Sequence, residues 1–202
     1  SGEITEIIPD RGAWIETDGA LVQGAWGNGL MDNGLLLSRL NNPDDTLDPN
    51  RLDVSMRGGI LAAGHCASAE TLKMAADIPL RGLILGSMDA SLIAAAQKVR
   101  FPVILLEGFG CLPMNLQAHE LLAASSGREV TINAEPWDRF RNTRPEAVVG
   151  MSDQGQPGMA TDVAVHAVGQ KVRLISPPYM ARLGTIVRLP GVVAVAATDS
   201  GD

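Results

Sequence analysis

Aromatic residues and cysteines are scarce in this sequence. Phe, Trp and Tyr make up 3% of the 202 residues, whereas hydrophobic residues make up 46%, so aliphatic side chains and alanine must form the core. The two cysteines, Cys66 and Cys111, are too few for a disulfide framework. We therefore expect reduced thiols in a cytoplasmic protein.

Long apolar runs and an excess of basic residues are also missing. No apolar run approaches the ~20 residues of a membrane helix, and no signal-peptide pattern is visible. With 16 Lys and Arg against 23 Asp and Glu, the net charge is −7, which repels nucleic acid and anionic membranes. Arg139, Arg141 and Arg144 form the one candidate basic patch. We predict that the partners are proteins or other domains of a parent chain, with nucleic acid disfavoured and no membrane.

Between Gly58 and Leu122 one sequence unit occurs three times. Each unit is an aliphatic run, a glycine, a small polar residue and a segment rich in alanine and leucine. Gly64, Gly86 and Gly108 close the three runs at a spacing of 22 residues. This spacing fits a buried strand, a tight turn and a short helix, the βα unit of a parallel sheet. We predict an α/β fold in which three parallel strands lie side by side and their glycines share one border.

Capping residues predict where the helices begin. Ser68 and Asp89 each precede an alanine-rich or leucine-rich segment and are expected to be helix N-caps, and Pro113 and Asn115 are expected to mark the start of the third helix. The second helix is expected to span residues 92–99. Gly127 follows the third segment, as is common at the end of a helix.

The first 37 residues are predicted to form short strands separated by turns. Pro9-Asp10-Arg11-Gly12 is a turn sequence between two strands, and Asp18-Gly19 predicts a further hairpin. Four glycines then crowd between Gly24 and Gly34. They predict sharp sheet corners, because a phosphate-binding loop needs a helix N-terminus and a lysine directly after the glycines.

The chain is predicted to contain two structured parts. Residues 1–134 would form a β-rich start and an α/β layer, residues 135–162 a linker or loop, and residues 163–202 a small β-barrel-like domain. The predicted strands of the last part are 163–166, 172–175, 185–189 and 192–195. From the opening Ser1-Gly2 and the apolar run close to Asp202 we expect a fragment excised from a longer protein, and the completeness of the last domain is left open.

The second unit of the repeat resembles a known family. Gly86-Ser87-Met88-Asp89-Ala90-Ser91 leads into an alanine-rich helix, and Phe101-Pro102-Val103-Ile104 follows as a strand. Over residues 82–109 this pattern resembles the swivelling phosphohistidine domain of phosphoenolpyruvate-utilising enzymes. The resemblance implies a three-layer β/β/α fold with parallel strands. It places Ser91 where that family has its phosphorylated histidine, and a serine hydroxyl cannot replace imidazole as a reversible phosphoryl carrier, so phosphotransfer is not expected.

A second resemblance lies near the C-terminus. The segment 169–175, together with Gly184-Thr185-Ile186-Val187, looks like a KOW motif, a short β-hairpin found in ribosomal proteins and transcription elongation factors. Ser176-Pro177-Pro178-Tyr179 lengthens the connection relative to that motif. The resemblance implies contact with RNA or with a protein, and the acidic composition favours a protein.

Residues that follow the three predicted strands form the candidate ligand site. The carboxyl ends of parallel strands meet at one border, where ligands bind beside helix N-termini. The candidate ligand-binding residues are Gly64, His65, Cys66, Ser87, Asp89, Gly110 and Cys111. One interpretation makes Cys66 or Cys111 a nucleophile, with His65 as its base and Asp89 as the orienting group. The alternative makes the cysteines small apolar residues and Asp89 a helix cap.

No metal, cofactor or catalytic residue is predicted. A zinc site needs four ligands, and neither a CxxC nor an HxxxH spacing occurs, so His119 and His166 are expected to be structural. The favoured function is a non-catalytic interaction or scaffold module rather than an enzyme. The first alternative is a small-molecule or nucleotide-binding domain at the Gly64/Gly86/Gly108 border. The second is an RNA- or ribosome-associated module that uses the C-terminal hairpin.

Overall fold

The computed structural model describes residues 3–138, 140–141, 143–150, 166–173, 183–189 and 195–198. The chain divides into two compact units, Ser1–Gln156 and Pro157–Asp202. Each unit is described by itself below.

The first unit contains a large sheet, a separate hairpin and three α-helices. Its strands are β1 (Glu3–Ile8), β2 (Gly12–Glu16), β3 (Gly19–Gln23), β4 (Trp26–Gly27), β5 (Met31–Ser38), β6 (Gly59–Cys66), β7 (Gly82–Met88), β8 (Val103–Phe109), β9 (Glu129–Asn133) and β10 (Glu146–Gly150). Its helices are α1 (Ala69–Asp77), α2 (Ile93–Ala96) and α3 (Leu116–Ala124). None of the described helices is long and apolar enough to cross a membrane.

The centre of the large sheet is parallel, as the sequence predicts. The strand order is β3-β10-β9-β5-β6-β7-β8-β4, and β5, β6, β7 and β8 run in one direction. Every residue of β6 and β7 is buried, as expected for strands that are covered on both faces. The remaining strands join antiparallel, so this is an α/β fold with a mixed sheet.

The sheet curls until its two ends meet. Strands β3 and β4 stand at opposite ends of the strand order, yet only Gly24 and Ala25 separate them in the chain. The Gly24 amide donates to the Pro145 carbonyl beside β10 at 2.7 Å, and the Ala25 amide donates to the Leu105 carbonyl of β8 at 2.8 Å. A Cβ at Gly24 would lie 2.8 Å from the Leu105 oxygen, so a predicted glycine corner is found here.

Two hydrophobic cores lie on the two faces of the parallel strands. Consecutive residues of a strand point to opposite faces. The inner core joins the parallel strands to the antiparallel ones and to α3, and includes Val22, Leu36, Ile60, Ile84, Ile104, Leu122, Val130, Ile132, Ala147 and Val149. The outer core joins the parallel strands to α1 and α2, and includes Leu61, Leu72, Ala75, Leu83, Leu85, Ala96, Val103 and Leu105. Antiparallel strands, parallel strands and the two helices α1 and α2 therefore form successive layers, whereas α3 packs on the inner side.

The predicted hairpin at Asp18-Gly19 is wrong. Strand β2 pairs with β1, whereas β3 pairs with β10, with Gly19 opposite Gly150. Burial explains the difference, because Val22 of β3 belongs to the inner core. A Cβ at Gly19 would lie 2.7 Å from Val148 Cγ1, so this glycine permits close packing against β10 rather than a turn.

One of the two predicted helix caps is confirmed. The Ser68 side chain accepts the Thr71 N–H in the first turn of α1 at 3.1 Å. Asn115, at the predicted start of the third helix, accepts the Gln117 N–H in the first turn of α3 at 2.8 Å. Asp89 precedes a 3-10 turn instead and makes no side-chain capping bond. The helix that follows spans Ile93–Ala96, shorter than the predicted 92–99.

The stretch predicted as a linker, residues 135–162, contains strand β10. Ala147 and Val149 are buried in the inner core, and β10 pairs with both β3 and β9. The sequence prediction missed this strand because its alternation is only five residues long and stands among polar residues and turn formers. Residues 151–162 of the predicted linker lie outside the described residues.

The described part of the second unit is a three-stranded antiparallel sheet. Its strands are β11 (Lys171–Arg173), β12 (Leu183–Arg188) and β13 (Val195–Thr198), in the order β11-β12-β13. The predicted strands 172–175 and 185–189 overlap β11 and β12. Residues 163–165 and 192–194 of the other two predicted strands, and the connection at 174–182, lie outside the described residues.

Candidate functional site

The carboxyl ends of the parallel strands lie next to one another at one border of the sheet. His65 of β6 is opposite Ser87 of β7, and Ser87 is opposite Gly108 of β8. These strand ends form the rim, which comprises residues 64–66, 86–89 and 107–109. The rim is the border at which the sequence places its candidate ligand site.

Ser87 is the centre of a buried hydrogen-bond network at the rim. Ser87 is fully buried, and His65 is 6% exposed. His65 Nδ1 lies 2.9 Å from Ser87 Oγ. The same Oγ donates to the Leu112 carbonyl oxygen at 2.8 Å and accepts from the Leu112 N–H at 3.1 Å. One hydroxyl therefore ties β6, β7 and the segment after β8 together.

His65 lies between Ser87 and Asp89. Its Nδ1 is 2.9 Å from Ser87 Oγ, and which of the two groups donates depends on the tautomer of the imidazole. Its Nε2 lies 3.9 Å from Asp89 Oδ1. The imidazole ring therefore links the buried hydroxyl to a half-exposed carboxylate.

A segment that follows β8 covers the rim, and we call residues 110–115 the rim strap. Gly108 and Gly110 adopt φ angles of 100° and 107°, a region that favours glycine, and they let the chain turn over the strand ends. Besides the Ser87 bonds, three strap amides are hydrogen-bonded: Gly110 to the Met88 carbonyl at 3.0 Å, Met114 to the Pro43 carbonyl at 2.7 Å, and Asn115 to Glu107 Oε1 at 2.7 Å.

A second segment lies against β6 at the rim. The His65 amide donates to the Asp45 carbonyl at 2.7 Å, and the Leu47 amide donates to the His65 carbonyl at 2.7 Å. A Cβ at Gly64 would overlap the Asp45 carbonyl oxygen. The close approach that this glycine permits is therefore that of the protein's own backbone.

The two cysteines differ in their surroundings. Cys66 is buried in the outer core, where its thiol lies 3.7 Å from the Ser68 carbonyl oxygen. Burial raises the pKa of the Cys66 thiol, which disfavours the nucleophilic thiolate. Cys111 is exposed on the rim strap. No hydrogen bond joins either thiol to His65 in the part of the chain that the structure describes.

The rim has the residue types of a nucleophilic triad but not its accessibility. Ser87 Oγ contacts His65, and His65 faces Asp89, whose side chain is 47% exposed. A catalytic serine must present its oxygen to a substrate. Ser87 is buried and all its hydrogen-bonding capacity is used within the protein. Among the described residues no group of three or more His, Cys, Asp or Glu side chains is placed to hold a metal ion.

Two surface hollows lie away from these rim residues. One is lined by Arg39, Arg51 and neighbouring residues and has a volume of about 10 Å³, room for a single water molecule. The other is an open groove on the loop of residues 135–140, where Trp137 is 56% exposed and Phe140 is 85% exposed. Neither hollow is lined by Ser87 or Asp89.

The structure brings some of the predicted site residues together and separates others. His65, Ser87 and Asp89 form a connected group, and Gly64 and Gly110 shape the backbone around it. The cysteines lie outside that group. Sequence reasoning missed the Leu112 backbone, which completes the network, and no side-chain pattern could have indicated it. It also missed the buried Glu107 carboxylate, although a glutamate within an aliphatic run is a visible signal.

Comparisons with known proteins add no relative. No family model, no curated protein and no solved structure matches this chain.

Proposed function

We propose that this chain is a non-catalytic interaction or scaffold module of a cytoplasmic protein. The observation that carries the proposal is the closed rim. Ser87 and the rim strap satisfy each other's polar groups, so the usual ligand position of a parallel sheet is filled by the chain itself. Exposed aliphatic and aromatic side chains elsewhere, described below for the β1–β2 hairpin, support a role in binding proteins.

We also propose a swivelling-type fold for the first unit and a protein as the binding partner. The succession of antiparallel strands, parallel strands and helices supports a swivelling-type β/β/α domain, and the β11–β12 pair supports a KOW-like second unit. Ser91, at the position of the phosphohistidine in that family, is exposed in the turn before α2. The module would therefore have the domain's shape without its phosphoryl transfer, and a protein is the partner that the negative charge favours.

One observation favours the alternative of a small-molecule site. His65, Ser87 and Glu107 are buried polar side chains, and all three lie at the rim beside the half-exposed Asp89. Polar side chains gathered at the carboxyl ends of parallel strands are typical of ligand sites. A ligand would have to displace the rim strap to reach them.

A thermal-shift screen against nucleotides, phosphosugars and divalent metals separates the two functions. A ligand at 100 times its Kd stabilises the folded state by about 2.7 kcal/mol, which raises Tm by roughly 5–10 °C for a chain of this size. We expect no such shift. A shift that is lost in Asp89→Asn but kept in the control Asp77→Asn, an exposed aspartate at the end of α1, would contradict the scaffold proposal.

A further inference from the structure

The β1–β2 hairpin sorts its side chains onto two chemically different faces. Residues that pair directly across antiparallel strands point to the same face. The five pairs are Ile4 with Ile15, Ile7 with Ala13, Glu3 with Glu16, Glu6 with Trp14, and Ile8 with Gly12. The first two pairs form the aliphatic face of the hairpin. The other three form its acidic face, which also carries Trp14 and, next to the turn, Ile8.

A β-bulge produces this sorting. The register shifts between Ile4 and Glu6, so Thr5 is an extra residue on β1. With strict alternation along β1, Glu6 would share a face with Ile4, and Ile7 would share a face with Glu3. The bulge therefore separates Ile4 and Ile7 from Glu3 and Glu6, whereas Ile8 remains on the acidic face opposite Gly12.

Both faces of the hairpin are open to solvent. Ile4 is 60% exposed, Ile7 74%, Ile15 66% and Trp14 61%. A two-stranded sheet alone in water is marginally stable, and a third strand or a packed face normally completes it. No third strand pairs with β1 or β2 in the described residues. The hairpin is therefore an incomplete sheet with an aliphatic face to extend.

The two edges of the hairpin differ in how well they exclude another strand. The β1 edge carries the bulge at Thr5 and ends just before Pro9, and both features block strand addition. Strand β2 runs from Gly12 to Glu16 without a bulge, a proline or a lysine. The β2 edge is therefore the one that can receive a further strand.

Charge identifies the chemistry of that strand. Between residues 3 and 18 the chain has one basic residue, Arg11, and five carboxylates: Glu3, Glu6, Asp10, Glu16 and Asp18. These carboxylates repel a second copy of this acidic chain, as well as nucleic acid and anionic membranes. They attract Lys and Arg, and the exposed face of Trp14 adds a cation–π partner for either residue.

We propose that the β2 edge binds an extended segment of a partner protein in which aliphatic residues alternate with Lys or Arg. Main-chain hydrogen bonds to β2 hold the segment, and the alternation directs its side chains. Its aliphatic residues extend the face of Ile4, Ile7 and Ile15, and its basic residues lie beside Glu16 and Trp14. The proposal rests on the interaction function above and specifies the partner.

A synthetic peptide of alternating lysine and isoleucine tests the proposal with the whole chain. We expect calorimetric binding that weakens as salt is raised from about 50 to about 500 mM, because exposed ion pairs are screened. A peptide of the same composition with its lysines and isoleucines in separate blocks, and a peptide with glutamate in place of lysine, should bind at least about tenfold more weakly. Equal binding of all three peptides would overturn the proposal.

Point variants locate the binding site. Ile15→Lys puts a positive charge into the aliphatic face beside the β2 edge and should weaken binding by about tenfold or more. The control is Val54→Ser, at a valine that is 74% exposed in a different loop, and it should bind as the wild type does. Both residues are exposed, so the thermal unfolding of the large sheet should be unchanged in each variant. Binding that Ile15→Lys leaves intact would overturn the assignment to the hairpin.

The outcomes keep this inference separate from the proposed function. Peptide binding that is insensitive to Ile15→Lys would leave an interaction module with a different docking surface. A failure of the interaction function itself would appear as a small-molecule shift that Asp89→Asn abolishes, together with no binding of any peptide. The two failures affect residues on different elements, the hairpin and the rim.

Discussion

The Ser87 hydroxyl should be among the most sensitive atoms of the fold. In Ser87→Ala the methyl group fits the space, but two polar groups, the Leu112 carbonyl and His65 Nδ1, lose their partner. The Leu112 N–H loses one of its two acceptors and keeps the Gly110 carbonyl at 3.1 Å. The substitution therefore tests whether the hydrogen bonds of Ser87 are needed to keep the rim strap closed.

The loss of stability in Ser87→Ala depends on whether water can replace the lost hydrogen bond at each polar group. A buried polar group without a partner costs about 1–3 kcal/mol. His65 is 6% exposed and cannot recruit water, whereas Leu112 is partly exposed and can recover part of its loss. We therefore expect a loss of about 2–4 kcal/mol in the free energy of unfolding, equivalent to roughly 4–16 °C in Tm for a chain of this size.

Urea unfolding followed by circular dichroism measures this loss. The matched control is Ser91→Ala, because Ser91 is an exposed serine in the turn before α2 and should change stability by less than about 0.5 kcal/mol. Hydrogen exchange gives a local measure, since the Leu112 amide should exchange faster in Ser87→Ala while the Leu85 amide in the core of β7 exchanges only with global unfolding. A loss below about 1 kcal/mol would refute the network argument.

Gly64→Ala should lower the free energy of unfolding by more than about 2 kcal/mol, because the new Cβ would overlap the Asp45 carbonyl; wild-type stability in urea would show that the backbone yields easily. In the folded protein at neutral pH, iodoacetamide should label the exposed Cys111 and spare Cys66, whose pKa is raised by burial; equal labelling rates would contradict the burial of Cys66. The Asn41 amide lowers the pKa of the Asp45 carboxyl, so the stabilisation is present above the unfolded-state pKa and is lost as pH falls through the lower folded-state pKa. The Tm difference between wild type and Asp45→Asn should therefore shrink between about pH 6 and about pH 3, and a difference that does not change with pH would argue against this contact.

The parallel strands were predictable because their signal is local. Each is a short aliphatic run followed by a glycine, and strands that are buried on both faces need no alternation to be recognised. The antiparallel half was not predictable in the same way. Strand β3 pairs with β10, for example Gln23 with Glu146, and these strands are far apart in the chain. The sequence of one strand does not indicate which strand it pairs with. The hairpin predicted at Gly19 was wrong for a related reason. Glycine is used both in turns and where two backbones pack closely, and the local sequence does not distinguish the two uses.

The rim was predictable in its side chains and not in its closure. The rule that ligands bind at the carboxyl ends of parallel strands leads directly to His65, Ser87 and Asp89. It does not indicate that Leu112 fills the position, because backbone N–H and C=O groups are the same in every residue. Cys66 follows His65 by one position, and strand β6 continues through both, so its thiol lies in the outer core instead of joining the imidazole.

The strap also sets the cost of any ligand function at the rim. Opening it breaks the two bonds between Ser87 and Leu112 and those of the Gly110, Met114 and Asn115 amides. At a net value near 1 kcal/mol each, the closed state is favoured by about 5 kcal/mol, and the open state is then populated in about one molecule in 5,000. A rim ligand would lose affinity by that factor, so a nanomolar intrinsic Kd would be observed as micromolar. Within the described part of the chain the β2 edge pairs with no further strand that a partner would have to displace, and therefore the same chain should bind more readily at its hairpin than at its rim.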